Sequence, residues 1–266
     1  MVNLTPVHGD RSISAVARTV NAAFSSDPLI QWLRPGATPW AYQTAIAQKW
    51  QYRRVQNVMS EGIVLHSPSV NQMAHEYPRR NKPIEPLDGV VSLEKSYRVS
   101  VSEDTDIPVD QKEDAGAVAF LFPPDGHLPW SVSSIWLACK LWLLELFNPV
   151  KDESCRDKRV ELLMDKHTSG KKALRERFPG LWYLEVIAVH PSLQSRGLGG
   201  GVMKAILEKV AGNPIFLECT KKENIAFYEG FGFRTIEQVE ITDTPTNEDE
   251  DGKLKYWVMI RETNSN

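Results

Sequence analysis

The segment that decides the fold is Val-His-Pro-Ser-Leu-Gln-Ser-Arg-Gly-Leu-Gly-Gly at residues 189–200. It follows a nearly continuous apolar run at 181–189, typical of a strand buried on both faces, and leads into a helical pattern at 198–210. Its glycines let the main chain approach a ligand closely. Because a helix N-terminus presents free N–H groups and the positive end of a dipole, this strand–loop–helix predicts a pyrophosphate site.

Two known classes of glycine-containing nucleotide-binding loop do not match this segment. The dinucleotide fingerprint turns directly off its strand and carries a third glycine, whereas here residues 190–196 intervene and Val202 takes the glycine position. The phosphate loop of nucleoside triphosphatases is excluded because no Gly-Lys-Ser/Thr follows. The glycines therefore indicate an anion site of another kind.

The rest of the chain predicts a mixed α/β fold. Strands are expected at 62–66, 116–122, 181–189, 214–219, 233–241 and 254–260. Helices are expected at 13–24, from Asp27-Pro28 to Leu33, and at 40–59, 133–147, 171–178, 198–210 and 223–229. The apolar stretch 135–147 is too short to span a bilayer, so we expect a buried helix there. In the helix at 40–59, Lys49, Arg53 and Arg54 are assigned to the solvent side.

Composition limits the class of protein. The chain has 266 residues, of which 42% are hydrophobic, which is ordinary for a globular protein. A net charge of −3 lacks the excess of positive charge that is typical of nucleic-acid-binding proteins. Three widely spaced cysteines form neither a disulfide framework nor a metal cluster, and no export or membrane segment is visible. We expect a cytoplasmic protein without a metal, a nucleic-acid partner or a membrane partner.

Two motifs carry a family resemblance. Residues 194–199 match the pattern Gln/Arg-x-x-Gly-x-Gly/Ala, and residues 224–233 read Asn-Ile-Ala-Phe-Tyr-Glu-Gly-Phe-Gly-Phe. In this order, with a helix and a strand between them, they resemble the acetyl-CoA motifs of the GCN5-related N-acetyltransferase (GNAT) superfamily. The segment 24–33, with Asp27-Pro28-Leu29, is similar to one common in fungal small-molecule-type members.

The resemblance implies an architecture. It is a central mixed, mostly antiparallel twisted sheet flanked by helices, with a V-shaped opening between the two central strands. A single domain would then span 1–266. Within it, 1–115 would supply N-terminal helices and an irregular insert on the acceptor side, and 116–262 the core, with the motifs strongest at 181–233.

The resemblance also implies an activity, the transfer of an acetyl group from acetyl-CoA to the primary amine of a small molecule by direct attack, without a metal. The pantetheine arm would lie along the strand, the loop amides would hold the pyrophosphate, and Asn224 and Tyr228 would share a helix face. Tyr228 is the expected general acid toward the CoA thiolate. The cofactor-binding residues implied are Ile187, Ala188, Val189, Gln194, Ser195, Arg196, Gly197, Leu198, Gly199, Gly200 and Asn224.

The general base is less defined by sequence. Strand alternation places Glu185 on one face with Tyr183, Ile187 and Val189, where it could accept the amine proton. Glu218 and His190 are alternatives, although His190, before Pro191, suits a turn better than catalysis. A non-catalytic CoA-binding or sensing protein of the same fold and a protein or peptide N-acetyltransferase stay open as other functions.

Overall fold

A computed structural model describes residues 2–35, 44–78, 111–129, 131–150, 155–243 and 252–262. Its strands are β1 (Thr5–Pro6), β2 (Ile63–His66), β3 (Ala117–Phe122), β4 (Trp182–Val189), β5 (Ile215–Cys219), β6 (Arg234–Thr242) and β7 (Lys253–Arg261). Its helices are α1 (Gly9–Phe24), α2 (Pro28–Leu33), α3 (Ala45–Glu61), α4 (Val70–Glu76), α5 (Val132–Phe147), α6 (Asp157–Arg177), α7 (Leu198–Lys209) and α8 (Ile225–Glu229).

The strands form one seven-stranded sheet in the order β1-β2-β3-β4-β5-β7-β6. Every neighbouring pair is antiparallel except β4 and β5, which run parallel at the centre. This confirms the predicted mixed, mostly antiparallel sheet with flanking helices. The parallel pair requires a crossover, and α7 supplies it between the two strands.

The two central strands pair only at their beginnings. Three residues of β4, Trp182 to Leu184, pair with Ile215 to Leu217 of β5, and the strands diverge beyond that point. On its other side β4 carries a bulge, because Phe120 of β3 pairs with Val186 whereas Leu121 pairs with Leu184, which leaves Glu185 as the extra residue. A bulge bends its strand, and the V-shaped opening of the sheet begins at this bend, as predicted.

Helices cover the two faces of the sheet, and each face has its own core. On one face, residues of α1, α2, α3 and α6 pack on β4 side chains that include Tyr183, Val186 and Ala188. On the other face, α4, α7 and α8 pack on Leu184, Ile187 and Val189. The sheet is therefore the middle of three layers, and the gap between β4 and β5 lies between the helices of the two outer layers.

Four elements differ from the sequence prediction. α1 begins at Gly9 rather than at residue 13, and β1 was not predicted. α4, also not predicted, begins at a capping box in which Ser69 and Gln72 satisfy each other's N–H groups. The segment 171–178, predicted as a separate helix, is instead the last part of α6, which runs without a break to Arg177 and has Phe178 as its C-cap. The predicted start of α3 at residue 40 lies outside the described residues.

The prediction that the apolar helix α5 is buried was wrong. Leu141 is buried, but most of the large apolar side chains face solvent, with Trp136 64% exposed, Trp142 66% and Phe147 78%. The helix lies against α3, where Arg53 donates to Glu145 and to the carbonyl of Asn148. Within the described ranges, no helix combines the length and the apolar character that crossing a bilayer requires.

Candidate active site

The divergence of β4 and β5 leaves a cavity of about 280 Å3. One wall comes from β4 and the residues after it, and another from the end of β5 and the start of α8. The end of α1 and the start of α2 form the third. The lining residues are Ala23, Phe24, Asp27, Leu184, Glu185, Ile187, Ala188, Val189, Gln194, Leu217, Glu218, Cys219, Thr220, Lys221, Asn224 and Tyr228.

The open edge of β4 offers main-chain groups to a ligand. His190 N donates to Gly116 O at 2.9 Å, so in this antiparallel ladder the peptide groups of Ala188 pair with Val118 of β3. The intervening residues, Ile187 and Val189, direct their N–H and C=O groups toward the cavity. Three residues were predicted beside the pantetheine arm. Ile187 and Val189 therefore have peptide groups that face the cavity. Ala188 also lines the cavity, but its peptide groups pair with β3.

The predicted anion loop leads from this edge to α7. Gln194 lines the cavity, and its Nε2 donates to Val189 O at 3.1 Å, which ties the loop to the strand. Ser195 and Gly197 have φ values of 64° and 81°, a region that glycine adopts without strain. Gly197 is the N-cap of α7 and has no side chain to satisfy the N–H groups of the first helical turn. These groups are left for an anion.

Two loop side chains have structural contacts. The guanidinium of Arg196 donates to the carbonyls of Ala74 and Tyr77 at the end of α4, and Leu198 is buried in the core between α7 and the sheet. These contacts leave the main chain of the two residues as the part that could bind a ligand at the loop. Gly199 and Gly200 belong to α7 itself, and a Cβ there would make ordinary contacts with Phe227 and Phe231.

Tyr228 and Asn224 reach the cavity together. Asn224 ends a short 3-10 turn, Tyr228 lies on α8, and both residues line the cavity. The ring of Tyr228 packs edge-on against Phe227 and Phe233. Burial, with smaller effects from Cys219 and Asp27, raises the pKa of Tyr228. Its hydroxyl is therefore protonated at neutral pH.

Glu185 lines the cavity, but the prediction of its face was wrong. The bulge interrupts the alternation of β4, so Tyr183 lies on the face of Val186 and Ala188, opposite to Ile187 and Val189. Glu185 turns toward α3, where its Oε1 accepts from Arg54 Nη2 at 2.6 Å.

Arg54, assigned to the solvent side by the sequence, thus points inward, with 28% of its side chain exposed. Arg54 points inward because its guanidinium binds the Glu185 carboxylate. The two residues are 131 positions apart in the sequence.

Glu218 belongs to a second polar group. Its carboxylate accepts from Tyr183 Oη at 3.0 Å and lies 3.0 Å from Nδ1 of His167, a residue of α6. Burial and the neighbouring glutamates Glu218 and Glu185 raise the pKa of Tyr183 well above its usual value, so its hydroxyl stays a donor. The sequence did not single out His167, and nothing local marks it.

His190 stabilises the turn at the end of β4, as the sequence favoured. Its Nδ1 accepts from Ser192 N at 3.3 Å, and its side chain is only 1% exposed. Burial lowers the pKa of His190 to about 4. It lies beside Asp114, not among the cavity residues, which argues against its alternative role as a base.

Asp27 is a cavity carboxylate that sequence reasoning recognised only as a helix cap. Its Oδ1 accepts from Leu29 N at 3.0 Å, which confirms the predicted start of α2, and its Oδ2 accepts from Thr220 Oγ1 at 2.8 Å. Burial raises the pKa of Asp27, although these hydrogen bonds and Lys221 oppose the rise. Its only local signal is Asp-Pro, which indicates a helix start and not a cavity. Over the part of the chain that the structure describes, no three metal-binding side chains come together.

The comparisons with known proteins agree with this geometry. The family model described as acetyltransferase (GNAT) domain matches residues 161–235, which include β4, the anion loop, α7 and α8. Arylalkylamine N-acetyltransferase 2 from Aedes aegypti superposes with a TM-score of 0.52 at 12% identity, over 99% of each chain.

Two further solved structures superpose over nearly their full lengths. A histone acetyltransferase HPA2 and related acetyltransferase from Corynebacterium glutamicum gives a TM-score of 0.51 at 12% identity, over 99% of this chain and 97% of that one. The C-terminal condensation domain of Ebony, solved with beta-alanyl-dopamine, gives a TM-score of 0.50 at 11% identity, over 98% of this chain and 100% of that one. These findings support the expectation of an N-acetyltransferase. The chain has the fold of the GNAT acetyltransferases, with a GNAT domain match at residues 161–235.

Proposed function

We propose that the protein transfers an acetyl group from acetyl-CoA to the primary amine of a small molecule by direct attack. The observation that carries this proposal is the divergence of β4 from β5 after Leu184. It leaves the peptide groups of Ile187 and Val189 without a strand partner, next to a helix N-terminus that has a glycine as its cap. An extended amide-containing arm that ends in a pyrophosphate fits this surface, because both its parts bind main-chain groups.

The chemistry follows from the residues at the two ends of the cavity. The amine nitrogen attacks the thioester carbonyl, a C–N bond forms and the C–S bond breaks. Tyr228 is placed to give its proton to the departing thiolate, because it lines the cavity and burial keeps its hydroxyl protonated. An N–H group of Ile187 or Val189 would polarise the carbonyl. No covalent enzyme intermediate is needed.

The acceptor amine would meet the side of the cavity that the end of α1 and the start of α2 form. Residues 1–115 contribute Ala23, Phe24 and Asp27 to the lining and hold Glu185 through Arg54. Carboxylates among apolar side chains suit a cationic amine with an apolar body, and the similar mosquito enzyme is an arylalkylamine N-acetyltransferase. With the likeness of segment 24–33, this supports a small-molecule member of the superfamily.

A donor-binding and turnover experiment tests the proposal. Calorimetry measures the affinity for acetyl-CoA. Release of free thiol is then followed with tryptamine, phenylethylamine, putrescine and a lysine-containing peptide, with an amine-free reaction as the control. We expect binding, and thiol release with at least one small amine. Binding without release from any acceptor would indicate a CoA-binding or sensing protein, release with the peptide alone a peptide acetyltransferase, and absence of binding would refute the proposal.

A further inference from the structure

The solvent-exposed face of α5 carries a continuous apolar stripe. Its side chains recur with the period of the helix, so they occupy one face of it. The exposed fraction of its large apolar residues ranges from 46% at Leu143 to 86% at Val132. This α5 stripe consists of Val132, Ile135, Trp136, Cys139, Trp142, Leu143, Leu146 and Phe147.

The helix is fixed to α3, which keeps the α5 stripe outward. Leu141, on the side of α5 opposite to the stripe, is buried. Arg53 of α3 donates to Glu145 Oε2 at 3.2 Å and to Asn148 O at 2.8 Å. Lys49 Nζ, also of α3, donates to Asn148 Oδ1 at 3.1 Å. Because a rotation of α5 that buried the stripe would break these contacts, a partner for the stripe must come from outside the described fold.

The spacing within the α5 stripe is that of helices that pair with one another. Five of its residues follow at alternating intervals of three and four, which is the heptad pattern of a helix–helix seam. These residues are Val132, Ile135, Cys139, Trp142 and Leu146. Because the two partners of a twofold interface use the same surface, a second copy of α5 offers the apolar seam that the first one needs.

The exposed area of the stripe is sufficient for a stable dimer. Since whole residues of these types have areas of about 150–250 Å2, the exposed fractions of the large apolar residues correspond to roughly 900 Å2. This exceeds the apolar patch of roughly 300–600 Å2 on an ordinary monomer, and it matches the area of about 800 Å2 that each partner buries in a standard interface. Two paired stripes would thus reach the standard size without help from another part of the fold.

The charge of α5 favours a second copy over a lipid surface. Its sixteen residues contain one cation, Lys140, and one anion, Glu145. The Lys140 ammonium lies 5.3 Å from the ring centre of Trp136, and Glu145 accepts from Arg53. Helices that lie in a membrane surface carry lysines and arginines along a polar face, which α5 lacks. A nearly uncharged apolar surface is instead typical of the centre of a protein interface.

We propose that the α5 stripe is a dimer interface, on which α5 of a second copy packs in the antiparallel direction. With the twofold axis at Cys139, Trp136 of one copy lies opposite Trp142 of the other, and Ile135 lies opposite Leu143. Cys139, the smallest side chain of the stripe, then meets its own copy at the centre, with larger side chains on either side. Antiparallel helices also bring opposite ends of their dipoles together. Among the described residues the cavity lining includes none from α5, so the inference is independent of the proposed function.

The mass of the full chain in solution tests the proposal. Sedimentation velocity at protein concentrations up to about 100 µM should show a species of twice the chain mass of 30.1 kDa. Trp142→Glu and Leu146→Glu each place a carboxylate in the seam of both copies, and each should weaken dimerisation at least about 100-fold. Their circular dichroism should match the wild type, because both residues are exposed in the monomer. Met164→Glu is the matched control, since Met164 is 53% exposed on α6, and it should leave the mass unchanged.

A short bismaleimide tests the antiparallel arrangement. It should join two copies through Cys139, which is exposed, whereas Cys219 is buried and Cys155 is only partly exposed. The cross-linked dimer should be absent in Cys139→Ser and in Trp142→Glu.

Each other outcome overturns the inference at a different point. A wild type that stays at the mass of one chain at about 100 µM would show that the stripe is not a dimer interface. If that monomer also sediments with vesicles of phosphatidylcholine and phosphatidylserine while Trp142→Glu does not, the stripe binds lipid instead. A dimer that survives both glutamate substitutions would form through another surface, and a dimer that the bismaleimide does not join would refute the twofold axis at Cys139.

Discussion

His190 should make the stability of the protein depend on pH in a defined direction. The imidazole is 1% exposed, Nδ1 accepts from Ser192 N, and burial lowers the pKa to about 4 from its ordinary 6.5. The unfolded chain therefore takes up a proton before the folded protein does. The free energy of unfolding should be at its full value above about pH 6.5 and should fall as the pH decreases toward 4.

The size of the effect follows from these two pKa values. One pKa unit is worth about 1.4 kcal/mol, so protonation would cost about 2 kcal/mol at pH 5 and about 3 kcal/mol well below pH 4. Asp114 opposes this, because its Oδ2 lies 3.7 Å from His190 Nε2. Its charge is already compensated, however, since Asp114 Oδ1 accepts from Arg18 Nε at 2.5 Å. Burial therefore outweighs attraction to Asp114.

The assay is urea unfolding at pH 7.5, 6.5, 5.5 and 5.0 for the wild type and for His190→Asn. The asparagine side chain is a good helix cap and can accept from Ser192 N, but it does not titrate. The difference in unfolding free energy should be constant above pH 6.5 and should move by about 2 kcal/mol in favour of the variant at pH 5. A difference that stays flat, or that moves in favour of the wild type because Asp114 binds the imidazolium, would refute the reasoning.

Three further predictions concern single residues. Tyr228→Phe should lower kcat about 100-fold with unchanged acetyl-CoA affinity in calorimetry, whereas Tyr77→Phe should leave both unchanged; equal rates for the two variants would remove Tyr228 as the acid. Gly197→Ala should cost about 1 kcal/mol in urea unfolding, because φ is 81° while its Cβ would meet nothing within 4 Å; Gly199→Ala, without that strain, should cost much less. Ser67→Ala should cost about 1–3 kcal/mol, because Ser67 Oγ accepts from the buried Ala117 N at 2.8 Å. A loss no larger than that of Ser60→Ala would contradict this.

The parts of the fold that sequence could predict are those with local causes. Asp27-Pro28 predicts the start of α2 because both the capping carboxylate and the proline act on the next few residues, and the structure has that bond. The strand, anion loop and helix around 181–210 depend likewise on an apolar run, glycines and helical spacing in one segment. The same kind of local signal, a Ser69–Gln72 capping box, marks the start of α4.

The parts that sequence could not predict depend on distant neighbours. Nothing beside Arg54 in the chain shows that it meets Glu185, and nothing near His167 shows that it meets Glu218. For α5, an apolar composition on all sides predicts burial only if another element covers the helix. Among the described residues Leu141 is well covered, while Trp136 and Trp142 are not. Composition measures how apolar a side chain is, and burial depends on what packs against it.

The error at Glu185 shows how one unpaired residue determines the site. If β4 kept its two-residue period, Tyr183 would share a face with Ile187 and Val189. With Glu185 left out of the pairing to β3, Ile187 and Val189 move to the layer of α7, and Val186 and Ala188 to the layer of α3 and α6. The pairing of β4 with β5 ends at Leu184, immediately before the same residue. The bulge thus marks the point where the sheet opens, and it turns the Glu185 carboxylate toward Arg54 of α3 while the strand beyond keeps its peptide groups toward the cavity.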